Sequence, residues 1–209
     1  MNIILIGAPL SGKGTQAEII TKEFGLTHIS TGELLREEMK CQTPLGFEVK
    51  KYMDQAMLVP DKIIIEVLKD KLSSNNYENG ILLDGFPRTL NQAKELAKII
   101  KIDKVFYLKT NLEHLKKRVA GRFVCASCNK TNTILDENLV PCKYCGGQLV
   151  KRQDDTLEKV EYRYNEFIES TYPVVEYYKK QNLLIEISGE NSVKEIFESI
   201  KKVLLSWSI

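Results

Sequence analysis

Five short apolar runs, NIILIG, LTHIS, GILLDG, DKVFYLK and NLLIEIS, are separated by longer amphipathic stretches. Runs this short and this uniformly apolar fit strands covered on both faces, and the stretches between them fit the covering helices. The pattern predicts an α/β fold, a doubly wound parallel sheet of about five strands with helices on both faces. Helices are expected over 13–24, 32–40, 45–54, 61–73, 89–100, 111–121, 156–180 and 192–206, with Pro173 bending or dividing the seventh. Two stretches break the alternation: 30–59 gives helices with no strand between them, and 122–152 carries four cysteines. Both read as insertions into the core.

No apolar run reaches the length of a membrane span, and the start, MNIILIGAPL, lacks the basic lead and cleavage site of a secretory signal. A cytoplasmic location is expected, where thiols stay reduced. A formal net charge of +2 gives no reason to expect a polyanionic macromolecule or a membrane as partner.

The first apolar run ends in GAPLSGKGTQ, residues 7–16, where Gly7 and Gly12 enclose four residues and Lys13 opens a helix. A strand, a glycine turn and a helix N-terminus aim backbone N–H groups at one point, and the lysine adds a mobile positive charge. That point suits the phosphates of a nucleotide. The generic phosphate-loop pattern has Ser or Thr directly after the lysine; here Gly14 intervenes and Thr15 follows.

Cys125, Cys128, Cys142 and Cys145 form two Cys-x2-Cys pairs separated by thirteen residues. In a reducing compartment such pairs favour metal over disulfides, and four thiolates complete a tetrahedral zinc site that leaves no position open for substrate. Either a nucleic-acid-binding ribbon or a structural clip has this spacing. Residues 129–141 offer one lysine, two acids and no aromatic, a poor surface for stacking bases. Cys41 is left over as a free thiol.

The segments GAPLSGKGTQ (7–16), STGELLR (30–36), LLDGFPRT (82–89) followed by Gln92, KRVAGR (117–122), KRQDD (151–155) and SGEN (188–191) together resemble the adenylate kinases, and the cysteine segment resembles the lid of their zinc-containing bacterial members. The resemblance implies the P-loop nucleoside monophosphate kinase fold and reversible transfer, MgATP plus AMP giving two ADP. It divides the chain into a core (1–29, 60–121 and 153–209), an AMP-binding insertion (30–59) and a zinc-binding lid (122–152), the two insertions closing over bound nucleotides. It implies a monomer with ATP, AMP and ADP as partners, and places Gly7, Ala8, Pro9, Gly12, Lys13, Gly14, Thr15, Arg118, Arg122 and Asn191 around ATP. Thr31, Gly32, Arg36, Met57, Val59, Gly85, Arg88, Gln92, Arg152 and Arg163 are implied around AMP. Lys13, Arg88, Arg122, Arg152 and Arg163 are implied as catalytic, and Asp84 as reaching magnesium through water. No proton transfer is assigned to Asp154 or Asp155, since phosphate needs no protein base, and no role to His28 or His114. A kinase of another nucleoside monophosphate shares these motifs and is separated mainly by Gln92 and the 30–59 pocket.

Three departures stand out. Leu10 occupies a position where the family has glycine, the residue of positive φ or of close backbone approach, so either the position tolerates a leucine or the turn is strained and phosphate binding weakened. In the lid, Asn132 stands about where an aromatic would rest near the ATP base, and Phe123 replaces a second arginine. The donor base is therefore expected to rest on Arg118 and the backbone near Asn191, with looser donor than acceptor selectivity.

Overall fold

The computed structural model describes residues 1–55, 57–73, 77–128, 130–133, 141–151 and 155–207. Five parallel strands, β1 (Ile3–Gly7), β2 (Thr27–Ser30), β3 (Ile81–Asp84), β4 (Lys104–Lys109) and β8 (Leu184–Ser188), form one sheet in the order β2-β3-β1-β4-β8. All five coincide with the apolar runs of the sequence. Strand β1 is buried along its whole length, and its side chains alternate between two cores: Ile4 and Ile6 face one, Ile3 and Leu5 the other. This is what a strand with helices on both faces must do.

Helices α1 (Lys13–Phe24) and α9 (Val193–Trp207) cover one face, contributing Ala17, Ile20, Ile196, Ile200 and Leu204. The other face takes α4 (Asp61–Ser73), α5 (Leu90–Ile99), α6 (Leu112–Ala120), α7 (Leu157–Glu166) and α8 (Tyr172–Lys180). A single π-helical turn, Phe167–Thr171, separates α7 from α8 and delivers Pro173 to the first turn of α8, where its missing N–H costs nothing. The expected division of that long helix thus falls just ahead of the proline.

The first irregular stretch forms α2 (Thr31–Lys40) and α3 (Pro44–Met53) with no strand between them. The second forms a separate antiparallel sheet of β5 (Arg122–Cys125), β6 (Thr131–Thr133) and β7 (Leu149–Val150) in the order β6-β5-β7. No described helix is long and apolar enough to cross a membrane.

Candidate active site

In open parallel sheets ligands bind outside the carboxyl ends of the strands. The first such end here carries the glycine turn. Gly12, with φ 96°, caps α1 in the left-handed region, a conformation that costs glycine little. Leu10 also lies there, with φ 66°, which makes positive φ one of the reasons a glycine would suit this place; a leucine held so costs about 1–2 kcal/mol. The turn is tied from both sides. Lys13 Nζ donates to the carbonyls of Gly7 (2.8 Å) and Ala8 (2.9 Å), while Arg118 donates to the carbonyls of Leu10 (3.2 Å) and Gly189 (2.8 Å). Arg118 thereby joins the turn to the β8–α9 connection that carries the exposed Asn191.

Asp84 ends β3 beside β1, in register with Leu5. Its carboxylate faces the start of α1, 3.7 Å from where a Cβ on Gly14 would sit and one residue from Thr15. His28 Nε2 lies 3.8 Å from it, an ionic contact too long for a hydrogen bond. Burial works against charge on His28, but the Asp84 carboxylate outweighs it and leaves the imidazole pKa raised. Burial likewise opposes ionisation of Asp84, and His28 and Lys13 overcome it, so its pKa is lowered. Sequence reasoning gave His28 no role because the pairing of β2 with β3, which brings it to Asp84, joins residues far apart in the chain.

Two adjoining pockets open at these strand ends and share Leu58, Gly85, Arg88 and Arg163. One is lined by Gly7, Pro9 and Lys13, the other by Thr31, Gly32, Arg36, Met57, Val59 and Gln92. Two arginines therefore stand on the boundary between them. The Gly85 carbonyl organises this boundary, accepting from Arg88 Nε (2.7 Å) and Thr31 Oγ1 (3.0 Å). A Cβ on Gly85 would meet the Arg88 and Thr31 side chains at 3.1 and 3.2 Å, and its φ is 80°, so a side chain there would be strained and would displace both neighbours.

The electrostatics are those of cations gathered ahead of an anion. Lys13 is brought down to about 8, first by burial and then by Arg88, Arg163 and Arg122, with Asp84 opposing. Arg88 is lowered by burial and by Arg163. Arg122 opens β5 and pairs with Asp155 at 3.2 Å, the aspartate side chain being 1% exposed. Glu166 and Phe167 also line the Lys13 pocket. They stand three and four residues after Arg163, on the same helical face, and belong to none of the sequence motifs. Arg152, and with it Asp154 and Asn129, lies outside the described residues.

The four cysteine sulfurs all lie within 4.8 Å of one another. Cys125 and Cys145 are 3.4 Å apart, Cys128 and Cys142 3.7 Å. Tetrahedral zinc with Zn–S of about 2.3 Å requires sulfur separations of about 3.8 Å, so the cluster fits that ion. Amide donors point at the sulfurs: the Cys128 N–H at Cys125 (3.5 Å) and Asn132 Nδ2 at Cys142 (3.4 Å). Burial pushes the Cys142 thiol up, yet the Tyr144 N–H, the Asn132 amide, the Cys145 N–H and the Cys128 side chain bring it down to about 6, toward the thiolate a metal needs. Gly146 turns with φ 71°, as its place after the second pair suggests.

An adenylate kinase family model matches residues 5–183. The chain belongs to the adenylate kinase family. Relatives named adenylate kinase include those of Caldicellulosiruptor saccharolyticus, 42% identical over 98% of this chain and 99% of the relative. That of Carboxydothermus hydrogenoformans is 44% identical over 98% and 99%, and that of Methanothrix thermoacetophila 43% identical over 98% of both chains. The chain is thus a nucleoside monophosphate kinase, and the family reaction is reversible transfer of a phosphoryl group from MgATP to AMP.

Proposed function

We propose that this adenylate kinase binds MgATP over the Lys13 turn and AMP in the pocket between α2, α3 and Gln92, with transfer across the boundary where Arg88 and Arg163 stand. The observation that carries this reading is the pair of adjoining pockets sharing those two arginines. Phosphoryl transfer asks little covalent chemistry of a protein; it asks for in-line placement, charge to match the migrating phosphoryl oxygens, and exclusion of water. Lys13 follows the charge from the donor side, which requires that Nζ leave the Gly7 and Ala8 carbonyls for phosphate oxygens. Bound phosphate sets an anion beside the buried ammonium, offsetting both its burial and its like-charged neighbours, and so raises the depressed lysine pKa. Arg36 and Arg88 hold the AMP phosphate, and Arg118 and Arg122 the ATP side. Arg152 and Arg163 take the ground between, where a planar fork matches two phosphate oxygens. Asp84 meets the substrate's magnesium through water.

Core 1–29, 60–121 and 153–209 carries the two mobile insertions, 30–59 and 122–152. Zinc on the four thiolates supplies a structural crosslink. Cys125 to Cys145 carry no part of the transfer, and serve to keep Arg122 and Arg152 in register at the base of the lid. A monomer working in the cytoplasm, without nucleic acid or membrane as partner, completes the reading.

The test is Lys13→Met. The fold should survive and turnover fall by about 10²–10³ or more, the scale seen when a preorganised charge-stabilising donor is removed. A variant retaining most of the rate would remove the turn from the reaction. Assays against AMP, GMP, CMP and UMP, with metal content measured on the same preparation, decide acceptor and zinc together.

A further inference from the structure

We infer that Asp61, the first residue of α4, is a positioning residue for acceptor choice: it locks the Gln92 amide in the one orientation that matches a 6-aminopurine. The inference rests on Gln92 facing the AMP base, as proposed above.

Gln92 is 2% exposed, lines the acceptor pocket and stands in the first turn of α5. Its Nε2 donates to Asp61 Oδ1 at 2.7 Å, and its Oε1 accepts from the Arg88 N–H at 2.7 Å. A carboxylate can only accept and a peptide N–H can only donate, so the two contacts fix which end of the amide is nitrogen. Flipping it would set Oε1 against the carboxylate and an NH2 against an N–H, breaking two bonds and creating two like-polarity contacts. Asp61 is itself pinned, since its Oδ2 accepts from Thr89 Oγ1 (2.8 Å) and Asn91 Nδ2 (2.9 Å).

One N–H and one lone pair of the amide remain for a ligand, in a set order. Adenine presents an amino donor at C6 beside the N1 acceptor; a 6-oxopurine presents an acceptor at C6 beside an N1–H donor. A free amide could serve either by rotating. A locked amide serves the first and meets the second with donor facing donor and acceptor facing acceptor, a mismatch that binding sites reject strongly. Asp61 lies 31 residues from Gln92 in the chain and belongs to no motif of the sequence, so only the packing of α4 against α5 reveals it.

The experiment is the ratio of kcat/KM for AMP to that for IMP, which differ only along this edge; a ratio is insensitive to the fraction of protein that folds. Asp61→Ala should lower it by about tenfold or more, the scale of one lost hydrogen bond to a charged partner, with KM for AMP raised and KM for ATP unchanged. Asp61→Asn, whose carbonyl can still accept from Nε2, should keep most of the discrimination, and Asn91→Ala, which loses an Asp61 contact but not the Gln92 one, should keep all of it. An unchanged ratio in Asp61→Ala, beside a collapse in Gln92→Ala, would overturn this inference and leave the acceptor reading standing. An unchanged ratio in Gln92→Ala would overturn both. Equal collapse in Asp61→Ala and Asn91→Ala would show general loosening at the start of α5 and overturn the positioning role.

Discussion

The helical pair α2–α3 and the cysteine-bearing sheet both leave the central fold at its ligand face, and they are held by different physics. In the pair, Leu35 and Val49 join the larger of the two main cores, and Leu34, Met39, Tyr52 and Met53 pack against it from partial exposure. The turn between the helices is written into its residues. Thr43 caps α3, accepting from the Gly46 N–H at 2.9 Å and donating to Glu38 Oε2 at 2.6 Å; Pro44 follows in the first turn. Gly46 lets the helices cross so closely that any Cβ there would meet the Glu38 carbonyl at 2.1 Å. The sheet has its own separate cluster, in which the buried members are Cys125, Cys142 and Leu149. Two of those three are also candidate metal ligands. An insertion that borrows the main core needs only hydrophobic pattern and caps, whereas one standing apart with so little apolar burial needs a crosslink.

The largest expected effect tests that difference. A strong zinc chelator, or Cys142→Ser with Cys145→Ser, should release about one zinc per chain, lower thermal stability and melt the sheet as a separate early transition, since structural zinc supplies folding free energy outright. Helix content and AMP binding should persist, as should measurable kinase activity at low temperature. Protein purified without metal, bearing four alkylatable thiols on a still folded sheet, would end the contrast between the two regions.

The same contrast governs what could be read before the structure. All five sheet strands and the helices were legible because period-2 and period-3.6 patterns and buried apolar runs are local properties. The residues of the two pockets were legible only as motifs: nothing local in Arg163 or Val59 marks it, but the family segments do. What escaped depends on contacts across the sheet or between helices. His28 reaches Asp84 through strand pairing, Glu166 enters a pocket beside Arg163 at the end of α7, and Asp61 meets Gln92 through the packing of α4 on α5. Asn132 was noted as a missing aromatic and turned out to donate to a cysteine sulfur.

Core truncations come next. Leu35→Ala should lower global stability by about 2–5 kcal/mol, the range for emptying a buried leucine site, and shift the whole melting curve. Leu149→Ala empties a comparable volume in the small cluster. It should instead weaken zinc retention and leave the main transition near its original temperature. If both substitutions move the main transition equally, the sheet is thermodynamically part of the core.

pH separates the regions from opposite ends. Falling pH protonates the thiolates and releases the metal, so the sheet should loosen on the acid side while α2–α3 stays packed. On the alkaline side Lys13 dominates. Its pKa in the folded state is about 8, against an ordinary 10.5, so its charge is lost as pH rises through about 8. The kcat/KM for ATP should then fall by about tenfold per pH unit, while kcat at saturation, set by the complex, holds to higher pH. The sign for stability is opposite: between about 8 and 10.5 the unfolded chain binds the proton the folded lysine has given up, so this group's contribution to stability rises with pH. A flat alkaline limb in kcat/KM for ATP would detach Lys13 from donor binding.

The smallest effect concerns single oxygens on the two regions. Tyr144, between Cys142 and Cys145, reaches across to α1, where its hydroxyl donates to Glu18 Oε2 at 2.8 Å. Lys130 and Lys143 lie 4.6 and 4.9 Å from the centre of its ring, and Lys130 is 4.0 Å from Glu18. Burial and then Glu18 push the phenol up to about 12, so it stays a donor throughout the working pH range. Tyr144→Phe removes only that bond. Tyr144 is 41% exposed, so the substitution should leave the melting temperature unchanged and speed release of the sheet from α1 by about two- to twelvefold, the worth of about 0.5–1.5 kcal/mol, read by distance labels on the sheet and α1. Thr43→Val is the matching deletion on the helical pair. It removes the cap of α3 and should lower global stability by about 1 kcal/mol with lid kinetics untouched. An unchanged opening rate in Tyr144→Phe would mean the contact with Glu18 does not hold the sheet against α1, and that the two insertions differ in how they fold but not in how they are fastened.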